Sequence, residues 1–253
     1  VLEVCAMIAG GEKNFAARPF LLSFSMAITP LILGQDALEK DLICAEKGIP
    51  NVVYSSPMAG ATCPATLPAI IAISVAEFLS QLVVIQLRNP GAPVIVGASP
   101  SIMDMKALIY AFGAPEAYFV DAALTEIAHY YQLPIFNTSG QTDAVVIDAQ
   151  AAAEATYQVV MALLSGADFV HGVGEMYQGR MASPEYAVLC SEIIDMVGTC
   201  LGGIEINEET LPFDLIDRVG PKGSYIMEKH TLKHFRKFWA PTIFDRSAAK
   251  TAD

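Results

Sequence analysis

Cations are scarce in this sequence. Fifteen Lys and Arg stand against 27 Asp and Glu, a formal net charge of -12. Such a surface repels phosphate backbones, which argues against nucleic acid or a phosphate ligand and in favour of neutral or cationic partners. Paired cysteines are missing too: Cys5, Cys44, Cys63, Cys190 and Cys200 are odd in number and far apart, with no CxxC. That spacing speaks against a disulfide framework and points to a reduced, cytoplasmic protein. No uninterrupted apolar run reaches bilayer length. The nearest, "AIIAISVAEFLSQLVVIQL" (69–87), carries Glu77, Ser80 and Gln81 and reads as a buried helix, so no membrane partner is expected. A signal-peptide pattern is also lacking. The chain opens inside a helical pattern, "VLEVCAMIAGG", as a piece of a longer protein would.

Catalytic signatures are equally thin. There is no Ser-His-Asp arrangement, no phosphate loop and no zinc spacing. His230 and His234 lie four apart in "EKHTLKHFR", but no third ligand is suitably spaced. The basic neighbours Lys229, Lys233, Arg236 and Lys237 make that helix a solvated or docking face, and no metal is expected. "GVGEMYQG" (172–179) lacks the strand-to-helix setting of a dinucleotide fingerprint.

What is present is a repeated unit. With 53% hydrophobic residues in 253, the chain can build one sizeable core. Short apolar runs end in small polar turns at "PFLLSFSM" (19–26), "NVVYSSPM" (51–58), "PVIVGASPS" (93–101), "PIFNTSGQ" (134–141) and "ADFVHGVGE" (167–175). Helical patterns follow them at about 35–47, 66–87, 115–131, 147–165 and 184–201, with Gly48 closing the first and Gly202-Gly203 the last. Apolar strands alternating with helices predict a parallel α/β sheet with its site at the carboxyl ends of the strands. Both a (β/α) barrel and a doubly wound open sheet do that. Five units are present where a barrel has about eight. Residues 1–203 are read as this α/β domain and 204–253 as a more charged C-terminal helical extension packing on it.

The strand ends gather Tyr54, Ser99, Asn137, Gln141, Asp143, His171, Glu175 and Tyr177, with Arg180 the one nearby cation. A rim rich in rings, carboxylates and neutral hydrogen-bonding groups suits a small cation such as a quaternary ammonium. The plainer reading is that these residues cap helices, with Thr142 or Asp143 capping the one that follows. His171, with Glu175 four residues on, is the candidate acid–base group.

Several long stretches resemble the trimethylamine methyltransferase family of corrinoid-dependent enzymes. They are "YSSPMAGATCPATLPAIIAISVAEFLSQLVVIQLRNPGAPVIVG" (54–97), "SIMDM" (101–105), "FGAPEA" (112–117), "QTDAVVIDAQAA" (141–152), "FVHGVG" (169–174) and "HTLKHFR" (230–236). The resemblance implies a (β/α)8 barrel of the TIM type, of which this chain carries about the last five βα units. It implies transfer of a methyl group from a small methylated amine to the Co(I) of a corrinoid (cobalamin) held by a partner protein, with no cofactor on the chain itself. In members acting on trimethylamine a pyrrolysine precedes the "Q-S/T-D" triplet; here that position is Gly140. The sequence therefore resembles the branch acting on quaternary amines such as glycine betaine. Val145, where members commonly carry Lys, leaves one cation fewer. On this reading His171, Gln141 and Asp143 are catalytic. Tyr54, Phe112, Gly140, Glu175 and Tyr177 bind substrate, Gly140 supplying space for the head group. Exposed sheet edges predict a homo-oligomer. The competing expectation is a non-catalytic truncated paralogue that binds a methylated amine.

Overall fold

The computed structural model describes residues 1–247. The chain divides into two compact units, Val1–Cys190 and Ser191–Asp253. The division falls inside the last long helix, Pro184–Gly198, and not after it at residue 203 as the sequence suggested.

Five parallel strands form the main sheet: β1 (Ser23–Met26), β2 (Asn51–Ser55), β3 (Val94–Ala98), β4 (Ile135–Thr138) and β5 (Phe169–His171). Between them run α1 (Gln35–Lys47), α2 (Leu67–Arg88), α3 (Pro115–Tyr130) and α4 (Ala149–Ser165), and Pro184–Gly198 is α5. Each strand pairs with the next in sequence, giving the order β1-β2-β3-β4-β5. A doubly wound sheet reverses direction at a switch point. No reversal occurs here, so the units wind one way, as in a (β/α)8 barrel, of which they make a five-strand arc.

Alternation along the strands sorts the two faces. Val53, Val94, Val96, Ala98 and Ile135 face the helices and pack with Ile70, Phe78 and Ile85 of α2 and Val120 and Leu124 of α3. Val52, Tyr54, Ile95 and Phe136 cluster on the opposite face, the lumen side of the arc. Phe24, Met26 and Phe169 share its rows but remain exposed.

α2 is long and apolar enough to cross a membrane by length and composition alone. Its polar residues explain its place in the core. Glu77 is buried and accepts Thr29 Oγ1 at 2.8 Å, Ser55 Oγ at 2.5 Å and the Leu31 amide at 2.7 Å, fastening the loop after β1 to the sheet. One turn on, Gln81 joins Asn51 and Ser25 around the buried carboxylate of Asp41 on α1. The helix stops follow the sequence at Gly48, in the left-handed region at φ 66°, and at Gly203 beyond a 3-10 turn.

Two small elements escaped the sequence reading. Met58–Ala59, Ser101–Asp104 and Ile109–Ala111 form a three-stranded sheet beyond β2 and β3. Glu175–Met176 and Met181–Ala182 form a hairpin beyond β5. Both are too short for periodicity to register.

Replacing Glu77 by Gln puts an NH2 group among three donors. Stability should fall by about 1–3 kcal/mol for each donor left unpaired. Urea denaturation measures the loss, and hydrogen exchange at the Leu31 amide should accelerate. Unchanged stability and exchange would contradict the fastening role.

Candidate functional site

The lumen face is organised by register. Met26, Tyr54, Gly97, Phe136 and Phe169 are successive partners across the sheet, so their side-chain positions form one row. Gly97 leaves the central slot empty: a Cβ there would lie 2.6 Å from the Tyr54 ring and 2.6 Å from the Phe136 carbonyl oxygen. Tyr54 leans into that slot. Thr138 and His171, register partners one level higher, meet its hydroxyl. Tyr54 Oη lies 2.8 Å from Thr138 Oγ1 and 2.7 Å from His171 Nε2, and Thr138 Oγ1 lies 3.1 Å from the same Nε2. The His171 ring stacks on Phe136 at 4.5 Å and 12° and meets Tyr54 edge-on at 5.5 Å.

Burial disfavours the charged form of both groups. It depresses the His171 imidazole from its ordinary 6.5 to about 4 and pushes the Tyr54 phenol well above its usual range. His171 is therefore neutral at neutral pH. A base of that strength is poorly matched to proton transfer there.

The segment expected to form the floor, 139–143, adjoins this group. The Ser139 amide donates to the His171 carbonyl, and the Gly174 amide donates to the Gly140 carbonyl. Gln141 Nε2 donates to Glu175 Oε2 at 2.5 Å, and a Cβ at Gly172 would come within 2.7 Å of that amide. His171, Tyr54, Gln141 and Glu175 thus lie on one stretch of rim.

Three expectations need correction. Asp143 is committed to backbone: its two oxygens accept the Phe112 and Gly113 amides, each at 2.8 Å. It braces two loops, and burial, the larger effect, raises its carboxyl pKa against the pull of those amides. Neither Thr142 nor Asp143 caps the next helix. Asp148 caps it, accepting the Gln150 and Ala151 amides. Gly140 sits at φ 76°, and its side-chain direction is filled by Val173, whose Cα would lie 3.1 Å from an added Cβ. Its role is conformational, and the open space expected for a head group is absent there.

Phe112 and Tyr177 stand at the edge of the site. Phe112 packs edge-on against Tyr110 at 4.8 Å, and its carbonyl accepts Tyr118 Oη and Gln158 Nε2. Tyr177 is left-handed at φ 49°, with the Arg180 guanidinium 5.3 Å from its ring centroid. That ring face already carries a cation. In the second unit His230 and His234 stack on each other at 4.3 Å and turn to Glu209, which also binds Lys233.

Sequence reasoning missed the residues that hold the floor. Gln158 Oε1 accepts the Gln141 amide and its Nε2 donates to the Gln141 carbonyl, both at 2.8 Å. Glu154 accepts Thr142 Oγ1 at 2.6 Å and the Asp143 amide at 2.9 Å. Their signal was a pair of polar residues four apart on one face of an Ala-rich apolar helix.

Two outcomes test this site. Gly97→Ala should force Tyr54 off His171 and cost on the order of 1–3 kcal/mol through overpacking, read by thermal denaturation. A neutral result would mean that the slot is not needed. Because the folded state binds the His171 proton more weakly than the unfolded chain, stability should fall as pH drops from 6.5 towards 4 and be unaffected above that window. The difference in stability between the native chain and His171→Gln isolates this term. A flat difference curve would refute it.

The family model described as "Trimethylamine methyltransferase (MTTB)" matches residues 1–252. Over 247 residues the chain is 34% identical to trimethylamine methyltransferase MttB of Desulfitobacterium hafniense, covering 98% of this chain and 50% of that protein. A glycine betaine methyltransferase from another strain of the same species is 33% identical over 252 residues, covering 99% and 53%. A solved deoxyribose phosphate aldolase from Aeropyrum pernix aligns over 78% of this chain and 80% of its own at 14% identity and TM-score 0.37, a likeness too weak to bear on function. The chain spans about half the length of the curated relatives it matches. It belongs to the trimethylamine methyltransferase (MTTB) family.

Proposed function

We propose that this chain is part of a cytoplasmic methyltransferase that takes a methyl group from a quaternary amine of the glycine betaine class. The acceptor is the corrinoid of a partner protein. The observation that carries this reading is a site furnished for binding yet lacking an activated nucleophile. Phe136 and His171 offer partly exposed rings, Glu175 a carboxylate and Gln141 an amide. Tyr54 stays protonated and His171 neutral, and burial raises the thiol pKa of Cys190, which lies behind the floor against the Gly140 carbonyl. The phenol and the thiol keep their protons at neutral pH, and two hydroxyls occupy His171 Nε2, so none of the three is an activated nucleophile.

A docked corrinoid supplies a Co(I) nucleophile, which removes any need for one on the chain. The chain's task is then to bind, orient and exclude water. The ring faces hold the ammonium, each contact contributing about 0.5–2 kcal/mol, and Glu175 balances its charge. When the methyl carbon–nitrogen bond breaks, the electron pair stays on nitrogen and the product leaves as a neutral tertiary amine. No proton need be supplied, which suits a neutral His171. The lack of a pyrrolysine at position 140, which is Gly140, supports the choice of a quaternary substrate; named trimethylamine and glycine betaine methyltransferases are equally similar to the chain. The exposed lumen side chains Phe24, Met26 and Phe169 support closure by further βα units or by a second copy.

The test combines full-length protein, a Co(I) corrinoid protein and a panel of methylated amines. Corrinoid absorbance and demethylated product are followed. Glycine betaine should be demethylated and trimethylamine left untouched. Turnover of trimethylamine without betaine activity would overturn the substrate assignment, and binding without transfer would favour a non-catalytic role.

A further inference from the structure

We infer that Tyr54 and Thr138 are positioning residues that hold His171 as its Nδ1–H tautomer, so that the ring presents one fixed hydrogen-bond donor to the lumen face, for the carboxylate end of a betaine. The ligand part rests on the methyl-donor reading above; the tautomer part does not.

Proton placement carries the argument. His171 Nε2 faces two hydroxyls, Tyr54 Oη at 2.7 Å and Thr138 Oγ1 at 3.1 Å, and these lie 2.8 Å from each other. Two hydroxyl protons must be placed among these atoms. If Nε2 carried a proton as well, it would donate to one hydroxyl and that hydroxyl to the other, and the remaining hydroxyl proton, on a buried side chain, would have no acceptor among the described residues. With Nε2 bare, Tyr54 donates to Nε2 and Thr138 donates to the Tyr54 oxygen, so both contacts of the buried phenol are satisfied. The ring, neutral because burial depresses its pKa, then carries its proton on Nδ1.

Nδ1 has no hydrogen-bond partner among the described residues, and it is not among the sealed polar atoms. Its direction is set by the Phe136 stack at 12° on one side and Tyr54 on the other. The neighbouring donors are committed elsewhere: Gln141 Nε2 to Glu175, and Arg180 over the Tyr177 ring. Nδ1–H is thus the uncommitted, oriented donor beside the aromatic row. A substrate with an ammonium at one end and a carboxylate at the other would engage both the Glu175 carboxylate and this donor. A plain tetraalkylammonium leaves the donor unused.

Nitrogen-15 labelling of the histidines in the 253-residue chain reads the tautomer directly, and His171→Gln assigns the resonances. The expected spectrum at neutral pH is the Nδ1–H pattern for His171. Imidazole in water prefers Nε2–H, so the double variant Tyr54→Phe with Thr138→Val should revert to that form, while Thr138→Ser should keep Nδ1–H. Circular dichroism checks that each variant folds. Glycine betaine should shift the Nδ1 resonance and tetramethylammonium should not. An Nε2–H or doubly protonated ring in the native chain overturns the proposal, as does an Nδ1–H form that persists in the folded double variant. Equal shifts from both probes overturn the carboxylate assignment. A native Nδ1–H ring that neither probe moves upholds the tautomer and overturns the carboxylate assignment, while the methyl-donor reading stands or falls on the transfer assay with full-length protein.

Discussion

One empty position holds the lumen face together. Parallel register places Gly97 between Tyr54 and Phe136 in a row that would otherwise be continuous side chain. Without that gap the Tyr54 ring has nowhere to lie, since a single Cβ would come within 2.6 Å of it. The hydroxyl contacts to Thr138 and His171, the stacking of His171 on Phe136 and the burial of both titratable groups all depend on the ring lying there. Packing and electrostatics are thus coupled through one glycine: the burial that needs the gap also disfavours a charged His171.

A shortage of cations shapes everything around this row. Buried or half-buried carboxylates at Asp41, Glu77, Asp143 and Glu154 accept hydrogen bonds from hydroxyls, side-chain amides and backbone N–H groups, with no Lys or Arg partner among the described residues. The ion pairs of Lys47 with Glu12, Arg88 with Glu46, and Arg218 with Glu228 lie at the surface, where such pairs add little to stability. A carboxylate satisfied by neutral donors leaves no buried cation to repel an ammonium substrate. The device that fastens the loops also suits the proposed ligand.

Fastening proceeds from helix to loop and from loop to loop. Glu154 and Gln158 on α4 hold the backbone of 141–143, and Asp143 passes that restraint to 112–113. Gln141 then holds Glu175 across to the loop after β5. The polar side chains of the rim are thereby supported by groups behind them, as the proposed positioning site requires.

By itself the sequence determined the five βα units, their parallel sense and the rim that collects Tyr54, Gln141, His171 and Glu175. Those features follow from local periodicity and from turns at strand ends, and both are written in consecutive residues. The arrangement of the site was decided only by tertiary structure. Asp143 and Gln141 stand two residues apart in one polar turn, yet one braces a backbone and the other meets Glu175. Thr138 looks like an ordinary strand residue until β5 brings His171 beside it, and Gly97 looks like a strand-weakening glycine until two rings flank it. Partners 33 or 84 residues apart are set by register between strands. A one-residue slip would turn every one of these side chains to the other face, and no local pattern records which register is taken.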